Sequence, residues 1–460
     1  MDARERALAY VQQHEADFLQ RLAEFVAIPS VSTKPEYQAE VARAADWLID
    51  QLQRLGAQTA RFTEGVHPMV YGHLPADNPD APTVLLYGHY DVQPAEPLEK
   101  WSQPDPFRLE IRGENAYGRG TADMKAQLLA LLAAVEAVRH AGPQPVHFKF
   151  LFEGEEEIGS PGAARVLAAH PEAFRADFCL NPDAGMQGPD LPSITYALRG
   201  LAYFELRVHG PSHDLHSGAY GGAIHNPAQA MAELLAGMHD ADGRVTLPGF
   251  YDRVRPLTDE ERARLAQIPF DEEAFLASAG APALWGEPEY TVLERITARP
   301  TLEINGLYSG FIEEGSKTII PAYAMAKLSA RLVPDQRPED VAQGLRAHLE
   351  THAPPTIRWE LEQMASAPPV MVDVDTPAVQ ALARALAQTW GREPLYTRNG
   401  GTIPIVAMLQ DQLGIASVLT GFALPDSGMH GPDEHQHLPT WYKGIRALVR
   451  YFYELGESGS

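Results

Sequence analysis

Apolar and polar residues along this chain recur in two patterns, one typical of helices and one typical of strands. The changes between these patterns divide the chain into predicted helices and strands. Residues 4–56 carry apolar side chains at helical spacing, with a break at Pro29. The compact apolar run at residues 83–87 predicts a buried strand. Thr121 can cap the next helix, which we expect to continue to about His140.

The alternation of strands and helices continues beyond this helix. Residues 147–152 place three phenylalanines at alternate positions and predict a strand, and residues 178–180 predict another. Strands that alternate with helices at this spacing indicate a largely parallel sheet covered by helices. In such sheets, functional residues gather beyond the carboxyl ends of the strands.

The pattern of apolar and polar residues changes after Gly200. A helical pattern typical of the earlier part returns at residues 375–390. We predict a two-domain α/β protein. Its catalytic α/β/α domain is discontinuous, has a largely parallel mixed sheet, and comprises residues 1–199 and 371–460. An α+β domain is inserted between them at residues 200–370.

Composition narrows the classes of protein that fit. A chain of 460 residues is long for one core, which also favours two domains. The formal charge of −24 disfavours nucleic acid and anionic membranes as partners, and no apolar run approaches the ~20 residues of a membrane span. The only cysteine, Cys179, excludes an intramolecular disulfide and a thiolate zinc cage. We expect a cytoplasmic protein without a signal peptide, ending in a flexible GESGS tail.

Short motifs rich in carboxylates and histidine occur along most of the chain. Each supplies one or two of the nitrogen and oxygen ligands that divalent metals prefer. In this combination they indicate a hydrolase with two co-catalytic metal ions. The motifs are HYDVQP (89–94), GRGTADMK (118–125), EGEEEIGS (153–160), NPDA (181–184), DLHSG (214–218) and HGPDE (430–434).

Several of these motifs have a simpler explanation when taken alone. His89 and Asp91 could be a polar strand end, and Asp123 could be an acid that favours the first turn of a helix. The acids at residues 155–157 could be a solvated charge run. However, the end of a buried strand is a poor place for three mutually repelling carboxylates unless cations are present. A metal hydrolase needs adjacent acids with different tasks, one as ligand and one as base.

Two further assignments remain open from spacing alone. His430, His435 and His437 are equally eligible as a ligand from the last motif. Arg331 could be an arginine at the surface of a strand edge.

Taken in this order, the motifs resemble the M20 family of metallopeptidases, the group of carboxypeptidase G2, aminoacylase and the carnosinase-like dipeptidases. The resemblance runs from about residue 15 to residue 452. The segments DLHSGAYGG, GSKTIIPAYAMAKLSARLVPDQ and GGTIP resemble most closely the larger dipeptidases.

The resemblance implies a role for each residue of the metal site. Glu156 resembles the general base, and Asp91 resembles the residue that orients His89. The carboxylate of Asp123 is implied to bridge two metal ions. The implied ligands of the two ions are His89, Asp123, Glu157, Asp183 and His430.

The resemblance also implies a lid and a substrate pocket. The inserted domain is expected to act as a lid and to form a homodimer. His216 resembles the lid histidine that stabilises the oxyanion, often across the dimer. Arg331 resembles the arginine that holds the substrate's C-terminal carboxylate. Gly400 and Gly401 resemble the loop that lines the same pocket.

The implied activity is hydrolysis of the amide bond in dipeptides or small peptides with a free C-terminal carboxylate. It uses a metal-bridging hydroxide, a glutamate base and two divalent ions, zinc by preference, with manganese or cobalt as alternatives. A deacylase for N-acyl amino acids would use the same site. A non-catalytic metal-binding scaffold is a remote alternative, because the base and all five ligands are present.

Overall fold

The structure is a computed structural model that describes residues 1–458. The chain divides into two compact units. The first unit comprises Met1–Tyr196, Val372–Thr397 and the chain from Ile403 onward, and the second comprises Ala197–Met371 and Arg398–Thr402. The domain boundaries and the role of the inserted segment as a lid remain predictions.

The first unit contains most of the helices and the large sheet. Its helices are α1 (Ala3–Gln13), α2 (Glu15–Val26), α3 (Gln38–Arg54), α4 (Lys125–Ala141), α5 (Ala163–Ala169), α6 (Pro171–Phe174), α13 (Pro377–Trp390), α14 (Pro404–Leu413) and α15 (Leu438–Ser458). Its strands are β1 (Gln58–Phe62), β2 (Met69–Leu74), β3 (Thr83–His89), β4 (Glu110–Arg112), β5 (Asn115–Tyr117), β6 (His147–Glu153), β7 (Phe178–Asn181), β8 (Ser193–Leu198), β16 (Leu395–Asn399), β17 (Ser417–Leu419) and β18 (His435–His437).

The second unit contains a smaller sheet and shorter helices. Its helices are α7 (Ser217–Tyr220), α8 (Pro227–Ala236), α9 (Asp259–Leu265), α10 (Glu272–Ala279), α11 (Val292–Ala298) and α12 (Pro338–His352). Its strands are β9 (Gly200–His209), β10 (Leu215–His216), β11 (Thr301–Ser309), β12 (Ile319–Ile320), β13 (Tyr323–Leu332), β14 (Arg358–Ala367) and β15 (Val370–Met371).

The large sheet is mixed, with its parallel strands in the middle. Within the first unit its order is β1-β2-β6-β3-β7-β17-β8, and β16 also pairs with β8. Strand β3 runs parallel to β6 and β7, and β17 runs parallel to β7. In the β3–β6 pair, His89 lies opposite Glu153, so these two strands end at the same level. The carboxyl ends of three central strands therefore meet at one edge, as the sequence pattern predicts.

Helix α4 lies at the centre of the first unit because it is apolar on nearly all sides. It packs against α1, α15 and strand β3. The predicted cap at Thr121 is wrong. The helix begins at Lys125, and the Thr121 hydroxyl donates to the carbonyl of Gly118 at 2.6 Å. Residues 121–124 are therefore a turn that precedes the helix, and Asp123 is not in its first turn.

The small sheet of the second unit is antiparallel, in the order β11-β13-β9-β14. Helices α8 and α12 pack against it and bury a continuous apolar core. Strand β11 is an edge strand, and its apolar side chains Ile304 and Leu307 are 46% and 60% exposed.

Two expectations about the chain as a whole can be compared with this fold. Helix α15 continues through Ser458, so the predicted tail is helical to that point, and residues 459 and 460 lie outside the described range. Within residues 1–458, no helix is both long and apolar enough to cross a membrane.

Candidate metal centre

The first unit brings acids and histidines together where its central parallel strands end. Strand β3 ends at His89, and Asp91 follows two residues later. Strand β6 ends at Glu153 and leads into a short 3-10 turn, Glu156–Ile158. Strand β7 ends at Asn181, whose side chain accepts the backbone N–H of Asp183 at 2.8 Å. Sheet topology thus gathers residues that lie more than ninety positions apart in the sequence.

One group of possible metal ligands consists of His89, Asp123 and Asp183. The Nε2 atom of His89 lies 2.9 Å from Oδ1 of Asp123 and 3.9 Å from Oδ1 of Asp183. The His89 ring is buried, whereas about 15% of each carboxylate side chain is exposed. The group is therefore closed on the protein side and open towards solvent.

A second group consists of Asp123, Glu157 and His430. The Nε2 atom of His430 lies 2.9 Å from Oδ2 of Asp123 and 3.4 Å from Oε2 of Glu157. The His430 ring is more than half exposed, and its residue has a positive φ of 61°. Asp123 belongs to both groups and directs a different carboxylate oxygen to each histidine.

The two remaining histidines of the last motif lie elsewhere in the first unit. His435 and His437 are on β18, where they pair with Tyr117 and Asn115 of β5. Neither is in the possible ligand groups found among the described residues.

Asp91 connects His89 to the glutamate turn. Its Oδ1 lies 3.5 Å from Nδ1 of His89 and accepts the backbone N–H of Glu156 at 3.3 Å. Its Oδ2 accepts the backbone N–H of Glu157 at 3.1 Å and the hydroxyl of Ser32 at 2.6 Å. The backbone carbonyl of Asp91 also lies 3.0 Å from Nδ1 of His89. Asp91 therefore fixes the histidine mainly through its main chain, and its buried carboxylate fixes the acids that follow β6.

The three consecutive glutamates have three different surroundings. Glu155 is buried, and its carboxylate accepts the backbone N–H groups of His67 and Gly162 at 2.7 and 2.6 Å. Glu157 accepts the side-chain amide of Gln93 at 2.6 Å and faces His430. The carboxylate of Glu156 makes no protein hydrogen bond of its own among the described residues. The run is thus not a solvated charge cluster.

Burial and mutual repulsion shift the pKa values of these acids. Burial raises the pKa of Glu157 to about 8 and that of Asp183 to about 6, and the charge on Asp123 adds to both shifts. The pKa of Glu156 is raised well above its usual value, chiefly by burial and then by Asp183 and Glu157. Burial lowers the pKa of His89, but its hydrogen bonds with Asp123 and Asp91 outweigh this and raise it well above its usual value.

The residues present fit a pair of divalent cations. Four acids surround two histidines, and burial together with the charges of neighbouring acids raises the pKa values of three of them. In addition, Oε1 of Glu157 is buried and has no hydrogen-bond partner within residues 1–458. An orphaned buried carboxylate oxygen is unfavourable unless something binds it. Nitrogen and oxygen donors in this mixture suit zinc or manganese.

Sequence reasoning missed a buried ion pair behind the site. Glu434 and Arg119 are each at most 1% exposed, and Nη1 of Arg119 lies 2.7 Å from Oε2 of Glu434. The only sequence signal is that both residues lie in the motifs that also carry Asp123 and His430.

The predicted substrate residues of the second unit lie in two places. Arg331 is half-buried on β13, and its Nη1 donates to the hydroxyl of Thr402 at 3.0 Å. A side chain at Gly400 would meet the carbonyl of Ile296 at 2.6 Å, so this loop requires glycine.

The other two predicted residues are Gly401, which is partly exposed, and His216, which is exposed. Gly401 donates its N–H to the side chain of Asn399 at 2.9 Å. His216 is exposed on β10, and its Nδ1 accepts the N–H of Gly218 at 2.9 Å.

Comparison with known proteins identifies the family. The family model described as peptidase family M20/M25/M40 matches residues 85–454. The Beta-Ala-His dipeptidase of Homo sapiens is 32% identical over 472 residues, covering 98% of this chain and 93% of that protein. The Cys-Gly metallodipeptidase dug1 of Schizosaccharomyces pombe is 31% identical and covers 97% of both. The crystal structure of human carnosine dipeptidase 1 superposes with a TM-score of 0.83 at 31% identity, covering 99% of both chains.

These comparisons confirm the resemblance and the fold class that the sequence predicts, a two-domain mixed α/β protein. The family model spans most of the chain, and the relatives cover nearly all of it. The chain therefore belongs to peptidase family M20/M25/M40 and is a hydrolase of peptide bonds.

Proposed function

We propose that this protein is a two-metal dipeptidase that cleaves small peptides with a free C-terminal carboxylate. One observation carries the proposal: Asp123 places one carboxylate oxygen 2.9 Å from His89 and the other 2.9 Å from His430. Each histidine also faces a second acid, Asp183 or Glu157. Two overlapping ligand sets that share one carboxylate are the arrangement that two co-catalytic ions require.

Zinc is the metal that we propose, with manganese or cobalt as alternatives. Each ion would have one imidazole, one carboxylate of its own and the shared Asp123, a set that leaves room for water or substrate. Two such ions supply polarisation of the scissile carbonyl and a nucleophilic water at neutral pH.

Glu156 is the general base in this proposal. Among the described residues, its carboxylate makes no protein hydrogen bond, and burial raises its pKa well above the usual value, which favours its accepting a proton. It takes a proton from the attacking water and later delivers it to the amine that leaves. Asp91 holds the backbone N–H of Glu156 and the ring of His89, so it orients both the base and a ligand.

Arg331 is the proposed partner of the substrate's C-terminal carboxylate. Its guanidinium is half-buried, and no carboxylate of the described chain lies within ion-pair distance of it. Burial lowers its pKa, which indicates an uncompensated cation. A guanidinium fork binds a carboxylate with two parallel hydrogen bonds. Gly400 and Gly401 are the proposed lining of the same pocket.

His216 and a homodimer complete the proposal. Because Nδ1 of His216 accepts the N–H of Gly218, the proton of the neutral ring is on Nε2. This N–H can donate to an oxyanion. The exposed apolar residues Ile304, Leu307 and Ile312 on and after edge strand β11 support association of two copies through the second unit.

A cytoplasmic location is proposed on composition. The single cysteine, Cys179, is buried and unpaired. A chain that uses no disulfide suits a reducing compartment.

A comparison of hydrolysis rates across two classes of substrate tests the proposed activity. The relatives are named for β-Ala-His and Cys-Gly, which differ in both side chains. We therefore expect a panel of dipeptides to include good substrates and expect N-acetyl amino acids to be poor ones. Faster hydrolysis of N-acetyl amino acids than of every dipeptide would favour the deacylase instead.

A further inference from the structure

The carboxylate of Glu434 is fully buried, and the surrounding loop uses all of its hydrogen-bonding capacity. Its Oε2 accepts Nη1 of Arg119 at 2.7 Å and the N–H of Gly120 at 2.9 Å. Its Oε1 accepts the N–H of Ala122 at 2.9 Å and that of Asp123 at 3.0 Å. With four donors on two oxygens, Glu434 cannot serve as a metal ligand as well.

Its partner Arg119 extends the same network to two other loops. Nη2 of Arg119 donates to the carbonyl of Pro94 at 3.0 Å and to that of His430 at 3.3 Å. One ion pair thus contacts the loop after β3, the turn that carries Asp123 and the loop that carries His430.

This arrangement is poorly explained by stability alone. A buried arginine–glutamate pair contributes little net stability relative to apolar residues of the same volume. Here, however, the pair satisfies three backbone N–H groups of a non-helical turn, which have no other partner among the bonds described. The direction of Asp123 therefore depends on Glu434.

We propose that Glu434 is a positioning residue that holds Asp123 with one oxygen towards His89 and the other towards His430. The inference rests on the proposed two-metal function. By holding Asp123 in this direction, Glu434 enables the single carboxylate of Asp123 to serve both metal positions at once.

Metal titration of the metal-stripped protein tests this role. Glu434→Gln keeps the side-chain volume but retains only one acceptor oxygen. Its amide N–H₂ group would face N–H donors that the carboxylate now accepts. We expect calorimetric titration with zinc to show two sites in the native protein, and at least one of them weakened ten-fold or more in the variant. Two Mn²⁺ ions that share the Asp123 carboxylate should show spin coupling in the native protein. This coupling should be lost in Glu434→Gln.

Glu287→Gln is the matched control. Glu287 forms a buried ion pair with Arg299, at 2.6 and 2.8 Å, in the second unit. This variant removes a comparable buried carboxylate and should leave zinc affinity and the manganese spectrum unchanged.

If Glu434→Gln does not fold, Arg119→Lys serves in its place, since it keeps the charge but cannot reach Glu434, Pro94 and His430 together. Glu434→Gln or Arg119→Lys protein that folds and binds two ions with native affinity and spin coupling would overturn the inference. Equal weakening in Glu287→Gln would also overturn it. A native protein that binds fewer than two ions would refute the proposed function itself, which is a distinguishable outcome.

Discussion

Asp91 and Glu157 are joined through the main chain, because Oδ2 of Asp91 accepts the N–H of Glu157 at 3.1 Å. The other oxygen of Asp91 lies 3.5 Å from Nδ1 of His89. His89 and Glu157 belong to different ligand groups. One acid that is not itself in either group therefore determines how a ligand of each is oriented.

We expect Asp91→Asn to lower either kcat or metal affinity by about 10- to 100-fold, the usual effect of losing such an orienting acid. Asparagine has one side-chain acceptor oxygen, so it cannot accept the Ser32 hydroxyl and both N–H groups of the turn, although its main-chain carbonyl can still face His89. Steady-state kinetics and elemental analysis measure the two effects. The control is Asp177→Asn, because Asp177 accepts the N–H of Thr83 at the start of β3, the opposite end of that strand from His89. Native kcat and metal content in Asp91→Asn protein would contradict this role.

Metal removal should abolish activity and loosen the site. Without cations, Glu157, Asp183 and Glu156 are buried near one another and near Asp123, and they repel. Any ion that binds the folded state alone also raises its stability. We expect chelation to lower the melting temperature, and two equivalents of zinc per chain to restore both it and activity. Full activity of rigorously metal-free protein would exclude the two-metal mechanism.

Substitution of the adjacent residues Glu156 and Glu157 should distinguish the general base from the metal ligand. Glu156→Gln should keep both metals and lose turnover by a factor of ~10² to 10⁴, the scale of a general base. Glu157→Gln should instead reduce metal occupancy, because Glu157 is the acid that faces His430. Each variant is the control for the other, since both remove one charge from the same turn. The reverse pattern in elemental analysis would exchange their roles.

Arg331→Lys should raise KM for dipeptides with a free carboxylate, because lysine cannot form the bidentate pair. The native enzyme should cleave C-terminally amidated dipeptides poorly, and the variant should discriminate less between the two forms. Arg346→Lys is a control on the exposed surface of α12. Equal cleavage of free and amidated substrates by the native enzyme would rule out the carboxylate clamp.

The sequence predicted the part of the site that depends on strand ends. His89 and the acids that follow β6 and β7 lie close together because parallel neighbouring strands end at one edge. Periodicity is a local property, and the parallel order follows from alternation of strands and helices, so both could be found without coordinates.

Features of the site that depend on hydrogen bonds between residues far apart in the chain could not be predicted from the sequence. Thr121 has the chemistry of a helix cap, but Glu434, more than 300 positions away, binds the N–H groups of that turn instead. From sequence, Glu155 could belong to a solvated charge run, yet it is buried because the backbone N–H groups of His67 and Gly162 donate to it. Local pattern carries no information on such partners.

His216 should act across a dimer, with each active site taking Glu156 from one chain and His216 from the other. Its ring is exposed, and the hydrogen bond from Gly218 to Nδ1 leaves the Nε2 proton available to an acceptor. Glu156→Ala and His216→Ala homodimers should both be inactive. In a mixed dimer, one site combines both lesions and the other carries none.

Mixing the two variants in equal amounts should therefore recover activity. Random exchange makes half of the dimers mixed, and half of the sites in those dimers are intact, so about a quarter of native activity should return. The control is the same exchange between Glu156→Ala and Glu157→Ala chains. Those two lesions lie in the same turn of one chain, so every site in a mixed dimer is damaged and no activity should return. Mixed dimers confirmed by mass that stay inactive in the first exchange would show that His216 acts within its own chain or has no catalytic role.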